Sequence, residues 1–172
     1  DCNFTDNAAE YGAGAVNLHR GNVTNCIFTN NTADGNGGAM AMISGNLTDS
    51  IFTANTGYDG GAVYFDTSGT VENCNFSANN ATGYGSAVRM SSGSVSNSNF
   101  TNNMGDHGAV NLGSGNVDNC NFVNNTASND GGAVYVRGNN ATFENVDSLN
   151  NTAARGGSSF IDGNNTRITN CD

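Results

Sequence analysis

Residues 26–49 read CIFTNNTADGNGGAMAMISGNLTD, and the chain is this stretch written about seven times with variation. The opening Cys26-Ile27-Phe28 recurs as Cys2-Asn3-Phe4, Ser50-Ile51-Phe52, Cys74-Asn75-Phe76, Ser98-Asn99-Phe100 and Cys120-Asn121-Phe122. It decays to Val146-Asp147-Ser148 and returns at Cys171-Asp172. Successive first positions lie 24, 24, 24, 24, 22, 26 and 25 residues apart. A second motif keeps the same period: Gly14-Ala15-Val16, Gly37-Gly38-Ala39-Met40, Gly60-Gly61-Ala62-Val63, Gly85-Ser86-Ala87-Val88, Gly108-Ala109-Val110, Gly131-Gly132-Ala133-Val134 and a degraded Gly156-Gly157-Ser158-Ser159. A third apolar position precedes each cysteine site, at Val23, Leu47, Val71, Val95, Val117, Phe143 and Ile168. Motifs locked to one period mark a solenoid, not the disordered chain that the Asn, Gly, Ser and Thr content alone would suggest.

Each repeat therefore holds three short apolar segments separated by Gly or Asn, and none keeps a 3.6-residue rhythm long enough for a helix. Strands this short are unstable alone. They become stable when each pairs in parallel with its equivalent in the coils above and below. The fold expected is all-β: a right-handed parallel β-helix of about seven coils of about 24 residues, with three short strands per coil. The handedness follows the general rule for parallel crossovers. Residues 1–172 form one domain in this reading. The sequence begins inside one copy of the cysteine motif and stops inside another, so it is expected to be a fragment or processed part of a longer array. Flanking repeats or sister chains would then continue the stack, since an uncapped solenoid end recruits further strands.

Alternation along a strand sets the facing. In Cys-x-Phe-x, Cys and Phe point inward, and Asn3/Thr5, Ile27/Thr29, Ile51/Thr53, Asn75/Ser77, Asn99/Thr101 and Asn121/Val123 point outward. In Ala-Val-x-Val, Val63 and Phe65 and their equivalents point inward. The alanine and a variable residue (Asn17, Ala41, Tyr64, Arg89, Asn111, Tyr135) point outward. Tyr64 and Tyr135, with Phe160, would then lie on a flat, nearly neutral face suited to lateral packing.

Two polar columns are periodic. One lies three residues after Phe: Asn7, Asn31, Asn55, Asn79, Asn103, Asn125 and Asn151. The other precedes the cysteine site: Asn25, Asp49, Asn73, Asn97, Asn119, Asn145 and Asn170. Asn tolerates left-handed turns and can stack as a hydrogen-bonded ladder. Both columns are expected at corners.

The five cysteines share one inward column, where Ser50 and Ser98 also stand. Cys26 and Cys74 are two coils apart, about 9.6 Å, too far for a disulfide. Only Cys2 and Cys26 are on adjacent coils. Buried thiols as core filler are the expectation, with no metal-binding spacing of Cys and His. Asp59, Asp106 and Asp130 share a column with Asn36, which makes Asp106 and Asp130 a candidate Ca²⁺ pair. No other cofactor is expected. Sequons at Asn3, Asn30, Asn75, Asn80, Asn99, Asn124 and Asn150 are candidate N-glycosylation sites at corners or outward positions.

The formal charge is −10, and the five basic residues are all Arg. Phosphate backbones and anionic membranes need clustered cations, so nucleic acid and direct membrane insertion are excluded as modes of action.

Gly-Gly-Ala-Val at 60–63 and 131–134, with Phe28-Thr29-Asn30-Asn31 and Phe76-Ser77-Ala78-Asn79, resembles the chlamydial polymorphic outer-membrane protein repeat. Its Asn- and Thr-rich form is also similar to adhesin-like surface proteins of methanogenic archaea. The resemblance spans essentially the whole chain. It implies a secreted or surface-anchored region with an adhesive role. The function expected is that of a non-enzymatic, extracellular or cell-surface stalk or filament subunit. Its partners would be copies of itself, flanking repeats, glycans or other cells. A polysaccharide-binding or polysaccharide-degrading β-helix and an ice-binding solenoid are the alternatives.

Overall fold

A computed structural model describes residues 1–172. It contains strands and no helix, so no helix is long and apolar enough to cross a membrane. One coil shows the plan: a four-residue strand Cys26–Thr29, a two-residue strand Thr32–Ala33 and a nine-residue strand Met40–Thr48. Each pairs in parallel with its equivalent one coil on. Phe28 aligns with Phe52, Thr32 with Thr56 and Met42 with Phe65. The parallel β-solenoid of about seven turns is therefore present.

The three strands per coil are not the three apolar segments of the sequence. In the first five coils the segment after Gly-Gly-Ala and the segment before the cysteine site fuse into one long strand, as in Val88–Ser96, and in the last two they stay apart, as Val134–Val136 and Thr142–Leu149. The third strand is the short Thr32–Ala33 type, which stacks into its own six-stranded sheet. Fusion is possible because the residue between the segments is a stacked glycine. Gly93 has φ 136° and pairs in register with Gly69 and Gly115. A Cβ built at Gly93 would run into the Gly69 carbonyl oxygen, so any side chain there would push coils apart.

The interior repeats what the alternation implies. Phe4, Phe28, Phe52, Phe76, Phe100 and Phe122 stack with ring centroids 4.7–4.9 Å apart and near-parallel planes. Burying each such side chain contributes about 1.5–3 kcal/mol. Alanine departs from the alternation. Ala39, Ala62, Ala87, Ala109 and Ala133 are buried within the core cluster, not outward-facing. The chain turns the Gly-Gly corner just before them, so alanine and the following apolar residue both meet the interior.

All five cysteines are free, and Cys26, Cys74 and Cys120 are buried. The column has a shared bonding rule. Cys74 Sγ donates to Glu72 O at 3.1 Å and Cys120 Sγ to Asp118 O at 3.2 Å. Ser50 Oγ and Ser98 Oγ make the same bond to the carbonyl two residues back, at 2.8 and 2.7 Å. Either side chain is small and carries one donor, which is why they interchange. Burial pushes the Cys74 thiol up to about 11 and Cys120 up to about 12, so neither is a nucleophile near neutral pH.

Candidate functional site

Two corners bound the short strand of each coil, and the face of interest follows the second. The first is the asparagine corner. Asn79 Oδ1 accepts from the Asn55 backbone N–H at 2.9 Å and from Asn55 Nδ2 at 3.0 Å. Asn79 Nδ2 donates to Phe52 O at 3.1 Å and to Asn103 Oδ1 at 3.0 Å. The side-chain ladder runs from Asn7 through Asn31, Asn55, Asn79, Asn103 and Asn125 to Asn151. Its central members are fully buried. The left-handed turn lies one residue earlier than the ladder. Asp6, Asn30, Ala54, Ala78, Asn102, Asn124 and Asn150 have φ 54–56°. The second column, Asn25 to Asn170, is left-handed itself, at φ 49–54°.

The second corner precedes the Gly motif and holds a residue that varies from coil to coil. The N–H of Gly37 donates to Asp59 O, Gly60 to Tyr84 O, Gly85 to His107 O, Gly108 to Asp130 O and Gly131 to Arg155 O. These bonds line up Asn36, Asp59, Tyr84, His107, Asp130 and Arg155. Asp106 is not in this column. His107 is the residue in register with Asp130, because the turn 104–108 is short. From Met104 to Val110 is six positions, and from the aligned Thr126 to Val134 is eight. The Asp106–Asp130 pairing expected from the sequence is thereby corrected. Asp106 accepts from Ser128 Oγ at 2.6 Å. Asp130, with 6% of its side chain accessible, accepts from Arg155 Nε at 2.7 Å and Nη2 at 2.9 Å. No group of three or more His, Cys, Asp or Glu residues is gathered for a metal.

Next to this corner runs a column aligned in register, Tyr64, Arg89, Asn111, Tyr135 and Phe160, of which Asn111 and Tyr135 are buried and not open to solvent as the alternation implies. Tyr64, Tyr135 and Phe160 do share a face, but the face is not neutral. Arg89 lies over the Tyr64 ring at 5.1 Å, Arg137 over Tyr84 at 4.8 Å and Arg155 over Phe160 at 4.5 Å. His107, Tyr84 and Tyr135 form a cluster of near-parallel rings, with His107 4.6 Å from Tyr84 and 5.0 Å from Tyr135 and the two tyrosines 6.1 Å apart. Cation–π contact and aromatic stacking explain why arginines and rings settle together. Burial pushes the Tyr64 and Tyr135 hydroxyls up. Hydrogen bonding to Asp130 raises Arg155 above its ordinary value. Arg89 Nε and His107 Nδ1 are buried without a hydrogen bond; they lie 3.4 Å from Asp59 Oδ2 and 3.5 Å from Asp130 Oδ2 respectively.

Asp59 and Asp130 are three coils apart in their column, roughly 14 Å by the inter-strand spacing. That exceeds the separation of a glycosidase acid–base pair. The sequon residues Asn3, Asn30, Asn75, Asn80, Asn99, Asn124 and Asn150 are all exposed. Asn75, Asn99 and Asn121 form an exposed ladder of their own. The arginine–aromatic band is a feature the sequence reading missed. Its only trace there was the placing of Arg89, Tyr64 and Tyr135 at one repeat position.

The family model of the Chlamydia polymorphic membrane protein repeat matches residues 25–39 and 119–137. Both stretches run from the cysteine-aromatic motif into Gly-Gly-Ala, so the match supports a repeat of this type. No curated protein and no solved structure matches the chain significantly.

Proposed function

We propose that this chain is a structural and adhesive segment of an extracellular or cell-surface protein, a stiff stalk that acts by contact and without catalysis. The observation that carries the reading is the unbroken asparagine ladder beside the phenylalanine stack. The asparagine column ties each coil to the next from Asn7 to Asn151, and the phenylalanine column does so from Phe4 to Phe122. Such coupling between neighbours gives a solenoid its rigidity and its length. The polymorphic membrane protein repeat supports the surface placement. The carboxylates of Asp59 and Asp130 face arginines, which suits a binding surface better than acid–base chemistry. Lateral or end-to-end association with sister chains, continuation by flanking repeats, and contact with glycans or other cells are the interactions that fit this role.

Adhesion is tested by coating microspheres with the folded chain and measuring their retention on cell layers under flow. Retention above that of spheres coated with heat-unfolded chain supports the reading, and equal retention removes it. Turnover of a polysaccharide that is lost in Asp130→Ala would replace the adhesive reading with an enzymatic one.

A further inference from the structure

We propose that the cavity between Arg89 and Arg137 binds an acidic saccharide, holding the carboxylate of a uronic-acid-type sugar between two guanidinium groups. The cavity is shallow, about 290 Å³, and is lined by Arg89, Ser91, Asn111, Gly113, Arg137 and Gly138.

Charge is the first argument. The chain carries −10 overall and only five arginines. Three of them, Arg89, Arg137 and Arg155, gather on one band, and two line this cavity. Arg155 is held by Asp130 at 2.7 Å. Arg89 reaches Asp59 only through Nε, at 3.4 Å. Arg137 has no carboxylate partner, because the ion pairs of the chain involve Arg89, His107 and Arg155 alone. An unneutralised arginine beside a half-neutralised one is a local positive site on a negative molecule, where an anion gains most.

The second argument is construction. Leu112 aligns with Val136 and Asn116 with Thr142. The first interval is four residues and the second six, so two extra residues bulge out between 137 and 141. That bulge supplies Arg137 and Gly138 as one wall. The aligned coil has the flat Gly113 in place of a side chain and so supplies the floor. The departure from the regular repeat is what makes the hollow.

The third argument is preorganisation. Arg89 packs over Tyr64 and Arg137 over Tyr84, so both guanidinium groups are placed before a ligand arrives. Less side-chain freedom is then lost on binding. A planar guanidinium matches a carboxylate through paired hydrogen bonds. The remaining lining suits sugar hydroxyls. Ser91 Oγ donates to Asp66 O at 2.7 Å and keeps its acceptor capacity, and the Asn111 amide closes the floor. A hollow of this volume is larger than an inorganic anion needs and near the lower bound for small organic ligands. The site stands on its own geometry. Its failure would leave the stalk reading to its separate adhesion test.

The experiment is a titration of the folded chain, followed by amide NMR, with galacturonic acid trimer, galactose trimer and inorganic phosphate as probes. The acidic trimer is expected to shift amides of 89–91, 111–113 and 137–139, with affinity falling as salt rises. Arg137→Gln, an exposed substitution that leaves the fold intact by circular dichroism, is expected to weaken binding about tenfold or more. Arg137→Lys should retain part of it, and Arg20→Gln, on a distant coil, should change nothing. The proposal is overturned by no binding, by equal binding of the neutral trimer, or by Arg137→Gln behaving as wild type. It is also overturned if Arg20→Gln weakens binding as much as Arg137→Gln. Phosphate binding as tightly as the acidic trimer would overturn the saccharide assignment.

Discussion

The same coils turn two corners under opposite rules. At one, the residue is Asn in every turn from Asn7 to Asn151. At the other, six successive turns present Asn36, Asp59, Tyr84, His107, Asp130 and Arg155. The backbone stacks in parallel at both. What differs is whether the side chain bonds to its own equivalents. Asn79 uses both ends of its amide on the asparagines above and below and on a buried carbonyl, so no other residue serves. At the second corner the backbone carbonyl does the stacking, and the side chain is free to meet unlike neighbours. A solenoid of this kind keeps its scaffold in one column and its individuality in another.

The sharpest way to break that contrast is to replace one residue from each corner. Asn79→Leu strands the buried Asn55 N–H and takes one partner from the Phe52 carbonyl and one from the Asn55 amide, which keeps its bond to Phe28 O. At about 1–3 kcal/mol per group that loses a partner, the expected loss is about 3–6 kcal/mol in chemical unfolding. Tyr84→Leu removes stacking with His107 and is expected to cost only about 1 kcal/mol. Equal losses at the two sites would erase the distinction.

A second effect belongs to the scaffold alone. Cys74 and Cys120 are held protonated to about 11 and about 12, against a reference value of 9.0. Above pH 9 the unfolded chain has released these protons and the folded chain has not. Stability is therefore intact below pH 9 and falls as pH rises toward the folded values. The slope is about 1.4 kcal/mol per pH unit for each thiol. Cys74→Ser with Cys120→Ser copies the Ser50 and Ser98 coils and should flatten the profile in alkaline unfolding curves.

Smaller effects separate the corners further. Asp130→Asn loosens a pair whose arginine side chain is 67% accessible. Solvent screening keeps the expected loss in chemical unfolding small, and the difference should shrink in high salt. Ala54 sits at φ 55°, where asparagine or aspartate stands in most other coils. Left-handed geometry costs a residue with a Cβ roughly 1–2 kcal/mol, so Ala54→Gly or Ala54→Asn should raise the unfolding midpoint by about 1 kcal/mol or less in stability.

Much of the scaffold was legible because it is periodic. The phenylalanine stack, the asparagine ladder and the interchange of Cys with Ser all follow from position in the repeat. The buried alanines were misread because strict alternation was carried through a corner, where direction changes. Asp106 was misaligned because a repeat of 22 residues shifts its register only at one turn, which no count of spacing can localise. The arginine band was out of reach for a related reason. Arg89 comes from a strand, Arg137 from a bulge and Arg155 from a corner, and only coil stacking brings them to one face.

The division between scaffold and contact face is tested most directly by amide hydrogen exchange, with and without galacturonic acid trimer. The ladder amides of Asn55, Asn79 and Asn103, each bonded to the next asparagine side chain, should exchange slowest and be unchanged by the sugar. The bulge amides of Gly138 and Asn139 should exchange quickly and slow when it is added. Uniform exchange along the chain, or protection by the sugar centred on the asparagine corner, would contradict the division.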